Sequence, residues 1–321
     1  MVFFYELFCT LYSQAMNEKN QTWVSEIVLL GFQNLHNFKV PLFSLFLLIY
    51  IVTVWENVLI IVLVAFSRNL HSPMYFFLQQ LALSDLLQIT NIVPILLQTI
   101  IYGGTTLSLP GCITQLYFFG GSEGCEFLLL SVMAYDRYVA ICIPLRYTSI
   151  LNPRVCFILI LMSWLLGFGI AVITANLMGA LEFCDQNTID HFFCDFYPLL
   201  ELSCSDKFPL QIEAFFLFVP MVFMPFILLI VSYMCIAHAI LKIVSHTGRQ
   251  KAFSTCSSHL AVVSMFYGAL IAIYLFPSKK QSSAVSKVLS LLYTVVIPMV
   301  NPLIYTLRNK EIQGALKIKL N

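Results

Sequence analysis

The chain has 321 residues, 60% of them hydrophobic and only 10% charged, with a net charge of +1. A soluble domain carries roughly 25% charged residues, so this composition leaves too little polar surface to face water and points to lipid as the solvent. The near-neutral balance gives no field that would draw nucleic acid or an acidic partner.

Residues 1–15 lack the basic start and uninterrupted apolar run of a secretory signal, and Glu6 interrupts them. A first membrane span can direct a chain to the bilayer without a cleaved leader. Crossing the hydrocarbon core takes about 20 apolar residues in a helix. Seven stretches have that character, roughly 41–65, 74–98, 112–140, 155–178, 210–241, 252–276 and 287–307. Arg68 with His71-Ser72-Pro73, then Gly103-Gly104, Asn152-Pro153 and Pro277, punctuate them. Backbone groups in lipid must be satisfied internally, which long apolar runs achieve as helices. The predicted fold is an all-α membrane protein: an outer N-terminal segment over 1–40, a seven-helix bundle over 41–307 and a tail over 308–321.

Basic residues set the orientation. With the N-terminus outside and the C-terminus cytosolic, eleven of the seventeen Lys and Arg residues fall inside: Arg68, Arg137, Arg146, Arg154, Lys242, Arg249, Lys251, Arg308, Lys310, Lys317 and Lys319. Lys19, Lys39, Lys207, Lys279, Lys280 and Lys287 fall outside. The acidic stretch from Glu182 to Asp206 suits the outer side, as does Asn20-Gln21-Thr22, an N-glycosylation triplet in the outer segment. The tail from Arg308 alternates Lys with Ile and Leu, a pattern for a short amphipathic helix on the inner leaflet.

Cys184, Cys194 and Cys204 stand at ten-residue intervals in one outer loop, and Cys112 opens the third span on the same side. Four cysteines in an oxidising compartment allow three pairings. A zinc site with His191 is the rival, weakened because His191-x-x-Cys194 lacks a second close pair of ligands. Cys9, Cys125, Cys142, Cys156, Cys235 and Cys256 lie elsewhere.

Five ordered strings carry a resemblance. They are Leu70-His-Ser-Pro-Met-Tyr-Phe-Phe-Leu78, Met133-Ala-Tyr-Asp-Arg-Tyr-Val-Ala-Ile-Cys142 with Pro144, Leu145 and Tyr147, and His191-Phe-Phe-Cys-Asp195 followed by Cys204. Lys251-Ala-Phe-Ser-Thr-Cys-Ser-Ser-His-Leu260 and Pro298-Met-Val-Asn-Pro-Leu-Ile-Tyr-Thr-Leu-Arg-Asn309 complete the set. Together they make the chain resemble the odorant receptors among rhodopsin-like G-protein-coupled receptors, from about Glu26 to Ala315. The resemblance implies disulfides Cys112–Cys194 and Cys184–Cys204, and a usual start near Met16 that makes residues 1–15 an extension. Glu56 departs from it, standing where the family usually has glycine. A protonated Glu56, or one hydrogen-bonded to the second or seventh helix, would accommodate the change.

Ionisable groups inside a span default to functional hypotheses. Asp85 and Glu126 are placed to face each other, with Asn57, Asn301 and Ser131 nearby. Two such carboxyls either share a proton or hold a cation, and the resemblance favours a sodium ion. No other cofactor is expected. Glu123, beside Gly120-Gly121-Ser122, either closes an anionic cavity suited to amines or makes one structural hydrogen bond, while the small residues serve close helix packing or a cavity. Leu116, Phe119, Gly120, Glu123, Gly124 and Phe127 share a helical face, which by itself usually means core.

The resemblance implies a ligand pocket there, completed by Leu217, Phe218, Met221 and Val222, by Tyr267, Leu270, Ile271 and Tyr274, and by Leu291 and Thr294. It further implies that Asp136, Arg137 and Tyr138 form a lock for the G protein, with Tyr233 and Tyr305 moving to hold the open state. Pro225, Pro298 and Pro302 are positioned to kink their helices. The expected function is reception of small, mostly apolar volatile molecules, coupled to a stimulatory olfactory-type heterotrimeric G protein that raises cAMP. The location is then the plasma membrane, in sensory cilia if the tissue is olfactory; another tissue would leave the sequence unchanged. A transporter is disfavoured because the seven spans show no internal repeat. An enzyme is disfavoured because no zinc-protease, nucleophile-elbow or phosphate-loop motif occurs.

Overall fold

A computed structural model describes residues 24–33, 35–67, 70–184, 186–242, 245–274, 283–308 and 312–314. Within them seven long helices follow one another: α1 (Lys39–Phe66), α2 (Pro73–Tyr102), α3 (Leu109–Cys142), α4 (Pro153–Gly179), α5 (Phe208–Leu241), α6 (His246–Tyr274) and α7. The last is built of Ser283–Leu291, a π turn at Leu292–Val296, and Ile297–Arg308. Each apolar stretch of the sequence holds one helix. The starts are set by local chemistry: Asn152 Oδ1 accepts the Val155 N–H at 3.1 Å ahead of Pro153, and Ser108 Oγ accepts the Gly111 N–H at 3.2 Å ahead of α3. Gly103 ends α2 with φ 76°, a left-handed cap that suits glycine.

Burial separates the helices by role. Trp55 on α1, Phe157 and Leu165 on α4, and Phe223, Met224 and Ile227 on α5 project outward. Water would not tolerate that array, whereas hydrocarbon would. α3 lies at the centre, packed against α2, α4 and α5 and touching α6. Short connections near the Arg137 end include Tyr147–Ile150, whose helix bends 114° from α3.

The all-α bundle expected from the sequence is present, with a small sheet added at one end. Outside the bundle, β1 (Glu26–Leu29) lies between β2 (Thr105–Ser108) and β3 (Thr188–Ile189), antiparallel to β2 with Ile27 opposite Leu107 and parallel to β3 with Val28 opposite Thr188. Strands of two to four residues are too short to show a period of two, and their partners come from distant stretches of chain. Ile27 and Leu29 are fully buried against Leu109, Cys112, Ile189 and Cys194. Cys112–Cys194 and Cys184–Cys204 are the disulfides, which leaves none of these four sulfurs for zinc. Asn20, the 1–15 extension with Cys9, and the tail helix expected after Arg308 lie largely or wholly outside the described residues.

Candidate functional site

A cavity of about 100 Å³ lies at the disulfide end, walled by α3, α4, α5, α7 and the segment following Cys194. The helical spacing of Leu116, Phe119, Gly120, Glu123 and Phe127 brings all five to it, and Phe218 enters from α5. Gly124 does not line it. A Cβ there would stand 3.0 Å from Gly167 Cα, and one on Gly167 would stand 2.7 Å from Cys125 N. The glycine stretch therefore serves both uses weighed for it: Gly120 borders the cavity, while Gly124 and Gly167 bring α3 and α4 backbones together.

Several expected lining residues sit elsewhere. Leu217 is about a third exposed, Val222 packs into the main core, and Met221 lies over Gly124. Tyr267 packs with tilted rings against Phe127 and Phe226, centroids at 5.9 and 4.6 Å. Leu291 joins the core, and the Thr294 hydroxyl bonds back to Ser290 O at 2.7 Å. The side chains of Leu270, Ile271 and Tyr274 lie outside the described residues.

Two of these helices depart from even spacing. π turns at Ala214–Phe218 and Leu292–Val296 each insert an extra residue into a helical turn, which rotates everything beyond them away from the face that even spacing assigns. Glu213, Ala214 and Tyr293 line the cavity from the helices on which the resemblance implied other residues, and Ile170, Ala171 and Thr174 of α4 and Asp195, Phe196 and Tyr197 of the loop complete the wall. Only the loop string around Cys194 hinted at these in the sequence.

The ionisable side chains at the cavity include three carboxyl groups, beside the hydroxyls of Thr174, Tyr197 and Tyr293. Glu123 Oε2 accepts from Gln88 Nε2 at 2.8 Å, while Glu123 Oε1 has no hydrogen-bond partner. Glu213 Oε1 accepts from the Thr174 hydroxyl at 2.6 Å. Asp195 Oδ1 accepts the Phe196 N–H at 2.8 Å, and burial raises this carboxyl to about 6 against that single opposing bond. Beside it, burial and then the charge of Lys287 lower His191 to about 4. Lys287 of α7 forms an ion pair with Asp190, tying that helix to the loop.

Midway along the bundle, Asn301 Nδ2 donates to both oxygens of Asp85 at 3.2 Å. Asp85 and Glu126 neighbour each other, both buried. Asn57 Nδ2 bridges to Pro298 O at 3.2 Å, whereas Ser131 turns back to Leu128 O. Glu56 Oε2 is buried without a partner, so the hydrogen bond considered for Glu56 is absent at that oxygen.

At the opposite end, Arg137 pairs with Asp136 at 2.9 Å, and the Tyr147 hydroxyl donates to Asp136 Oδ1 at 2.7 Å. Burial and then the neighbouring carboxylate push the Tyr147 phenol above its ordinary range, so it stays a donor. Tyr138 packs on Tyr135 with ring centroids 6.1 Å apart. Tyr233 shares a 2.6 Å hydrogen bond with His259 Nδ1 across α5 and α6, a partner the sequence reading did not assign. Tyr305 is buried with its hydroxyl unpaired, and Pro225 and Pro302 lie inside α5 and α7.

The helices, five of which are by themselves long and apolar enough to cross a bilayer, make this a multi-pass membrane protein with a cavity at one end and the Asp136–Arg137 ion pair at the other. A family profile described as "Olfactory receptor" matches residues 46–321. The chain is similar to Olfactory receptor 1M1 of Mus musculus, 44% identical over 306 residues that cover 95% of this chain and 98% of that protein. Olfactory receptor 1 of Rattus norvegicus is also 44% identical, with 95% of this chain and 100% of that one covered. For Olfactory receptor 1S1 of Homo sapiens the figures are 44%, 95% and 94%. The chain belongs to the olfactory receptor family.

Proposed function

We propose that the protein receives a small, mostly apolar odorant in the cavity beside α3 and passes the signal to a stimulatory olfactory-type G protein, raising cAMP. The observation that carries this reading is that α3 runs from the cavity to the Asp136–Arg137 pair. Its first half contributes five cavity residues and its last turns carry Asp136 and Arg137. In this reading the disulfide end and N-terminus face outward, the Arg137 end and C-terminus face the cytosol, and the location is the plasma membrane, in sensory cilia where the tissue is olfactory.

The mechanism is a shift between two populations. An odorant moves the equilibrium only by its difference in affinity for the open and closed arrangements. In the closed one, Asp136 and Tyr147 hold Arg137 in place while His259 holds Tyr233. Opening parts α6 from α3, freeing Arg137 for the transducer and Tyr233 and Tyr305 to move inward.

Asp85 and Glu126 would hold a sodium ion in the closed state. Both Glu126 oxygens and the side-chain oxygens of Asn57 and Asn301 are buried acceptors without a donor, a set that suits a hard cation. The ion would supply the positive charge that two buried carboxylates otherwise lack.

Replacing Arg137→Ala tests the scheme in cells. Odorant-evoked cAMP should vanish while antibody labelling still finds the receptor at the surface; a normal response would overturn it.

A further inference from the structure

We propose that the cavity is made for a small organic amine, with Glu123 as counter-ion to its ammonium group and Asp195 and Glu213 as further acceptors around the same space. This rests on the odorant-receptor reading above and adds the ligand's chemical class to it.

Three carboxyl groups from three separate segments line the cavity, and no lysine, arginine or histidine is among its lining residues. The nearby cation, Lys287, is already paired with Asp190. Glu123 is only 6% exposed. A structural role would be met by its bond from Gln88, yet Oε1 remains a buried acceptor with no donor. Leaving such an atom unsatisfied is costly, and a ligand with N–H groups would satisfy it. Charge matters as well as hydrogen bonding: a buried carboxylate is strongly stabilised by a partner of opposite sign.

Two features select an organic cation over a metal ion. Among the described residues, no three His, Cys, Asp or Glu side chains are close enough to share a metal. The acids therefore surround a ligand-sized space instead of converging on a point. The rest of the wall is apolar and aromatic, with Phe119, Phe127, Phe218 and Tyr293 offering contact to a hydrocarbon body and ring faces to an ammonium.

The test compares three probes of one chain length, hexylamine, hexanol and N-hexylacetamide, on cells displaying the full chain, with cAMP as readout. Hexanol keeps the shape and removes the charge, and the acetamide removes the charge while keeping an N–H, so the wild type alone decides the matter even if a variant folds poorly. Hexylamine should be more potent than the other two by about 30-fold or more, the loss that accompanies removal of one member of a buried charge pair. In Glu123→Gln that ratio should collapse towards unity. Equal potency of amine and acetamide on the wild type would overturn the proposal, as would an amine advantage that survives Glu123→Gln. Responses to neutral odorants alone would also overturn it, with the receptor reading intact. Surface-displayed wild type that answers no odorant, basic or neutral, would sink the receptor reading itself.

Discussion

The two ends of the bundle are held by different kinds of bond. At the disulfide end, Cys112–Cys194 and Cys184–Cys204 and a three-stranded sheet tie the N-terminal segment, the α2–α3 turn and the loop before α5 to the top of α3. Gln115 adds to this, accepting the Cys194 N–H at 2.9 Å. At the Arg137 end the described residues contain no disulfide. There the helices are joined by single polar contacts, Asp136 to Arg137 and Tyr147, and Tyr233 to His259. A recognition cavity gains affinity from being formed in advance. A switch needs two arrangements of nearly equal free energy. On the proposed function, covalent staples would serve the first need and breakable hydrogen bonds the second.

The contrast can be broken most severely at the staples. Cys112→Ser opens a link across 82 residues of chain, and loss of a native disulfide costs about 2–5 kcal/mol. Surface labelling of folded receptor should fall to near background, and wild-type levels would mean that the sheet and core position the loop unaided. A smaller effect belongs to the other end. Tyr147→Phe removes one donor to Asp136, worth about 1.5 kcal/mol for a charged acceptor, so odorant-independent cAMP should rise by up to about tenfold. An unchanged basal signal would show that this contact does not restrain the switch.

The smallest effect sharpens the comparison at the cavity wall. Asp195 is raised to about 6 in the fold, against about 3.9 when unfolded. The folded state therefore binds this proton more tightly, and its contribution to stability falls as pH rises from about 4 to about 6. His191, lowered to about 4, works in the opposite sense over about 4 to 6.5 and is common to both chains compared. Asp195→Asn keeps a capping oxygen and abolishes the acid. Its melting temperature in detergent should exceed that of the wild type near neutral pH and match it near pH 4; an equal gain at both would rule out burial of the acid as the cause.

The seven helices and the five α3 cavity residues were legible because both depend on near-neighbour patterns, an apolar run and a turn of 3.6 residues. Tyr293 and Glu213 were not, because no residue type announces a π turn or which side chains beside it meet the cavity. β1 escaped for another reason: four residues mean nothing until Thr105–Ser108 and Thr188–Ile189 are brought beside them by the fold. The orphaned Oε1 of Glu123 belongs to the same class, since only three dimensions reveal which atoms lack a donor.

One helix links the loop, the cavity and the middle of the bundle. α7 grips the loop through Lys287, borders the cavity with Tyr293 and reaches Asp85 through Asn301. Its π turn sits between the first and last of these contacts, where the rod can give. On the proposed function, a cation held between Asp85 and Glu126 and an odorant in the cavity would pull on a shared lever, and thermodynamic reciprocity would then make each alter the other's grip by an identical factor.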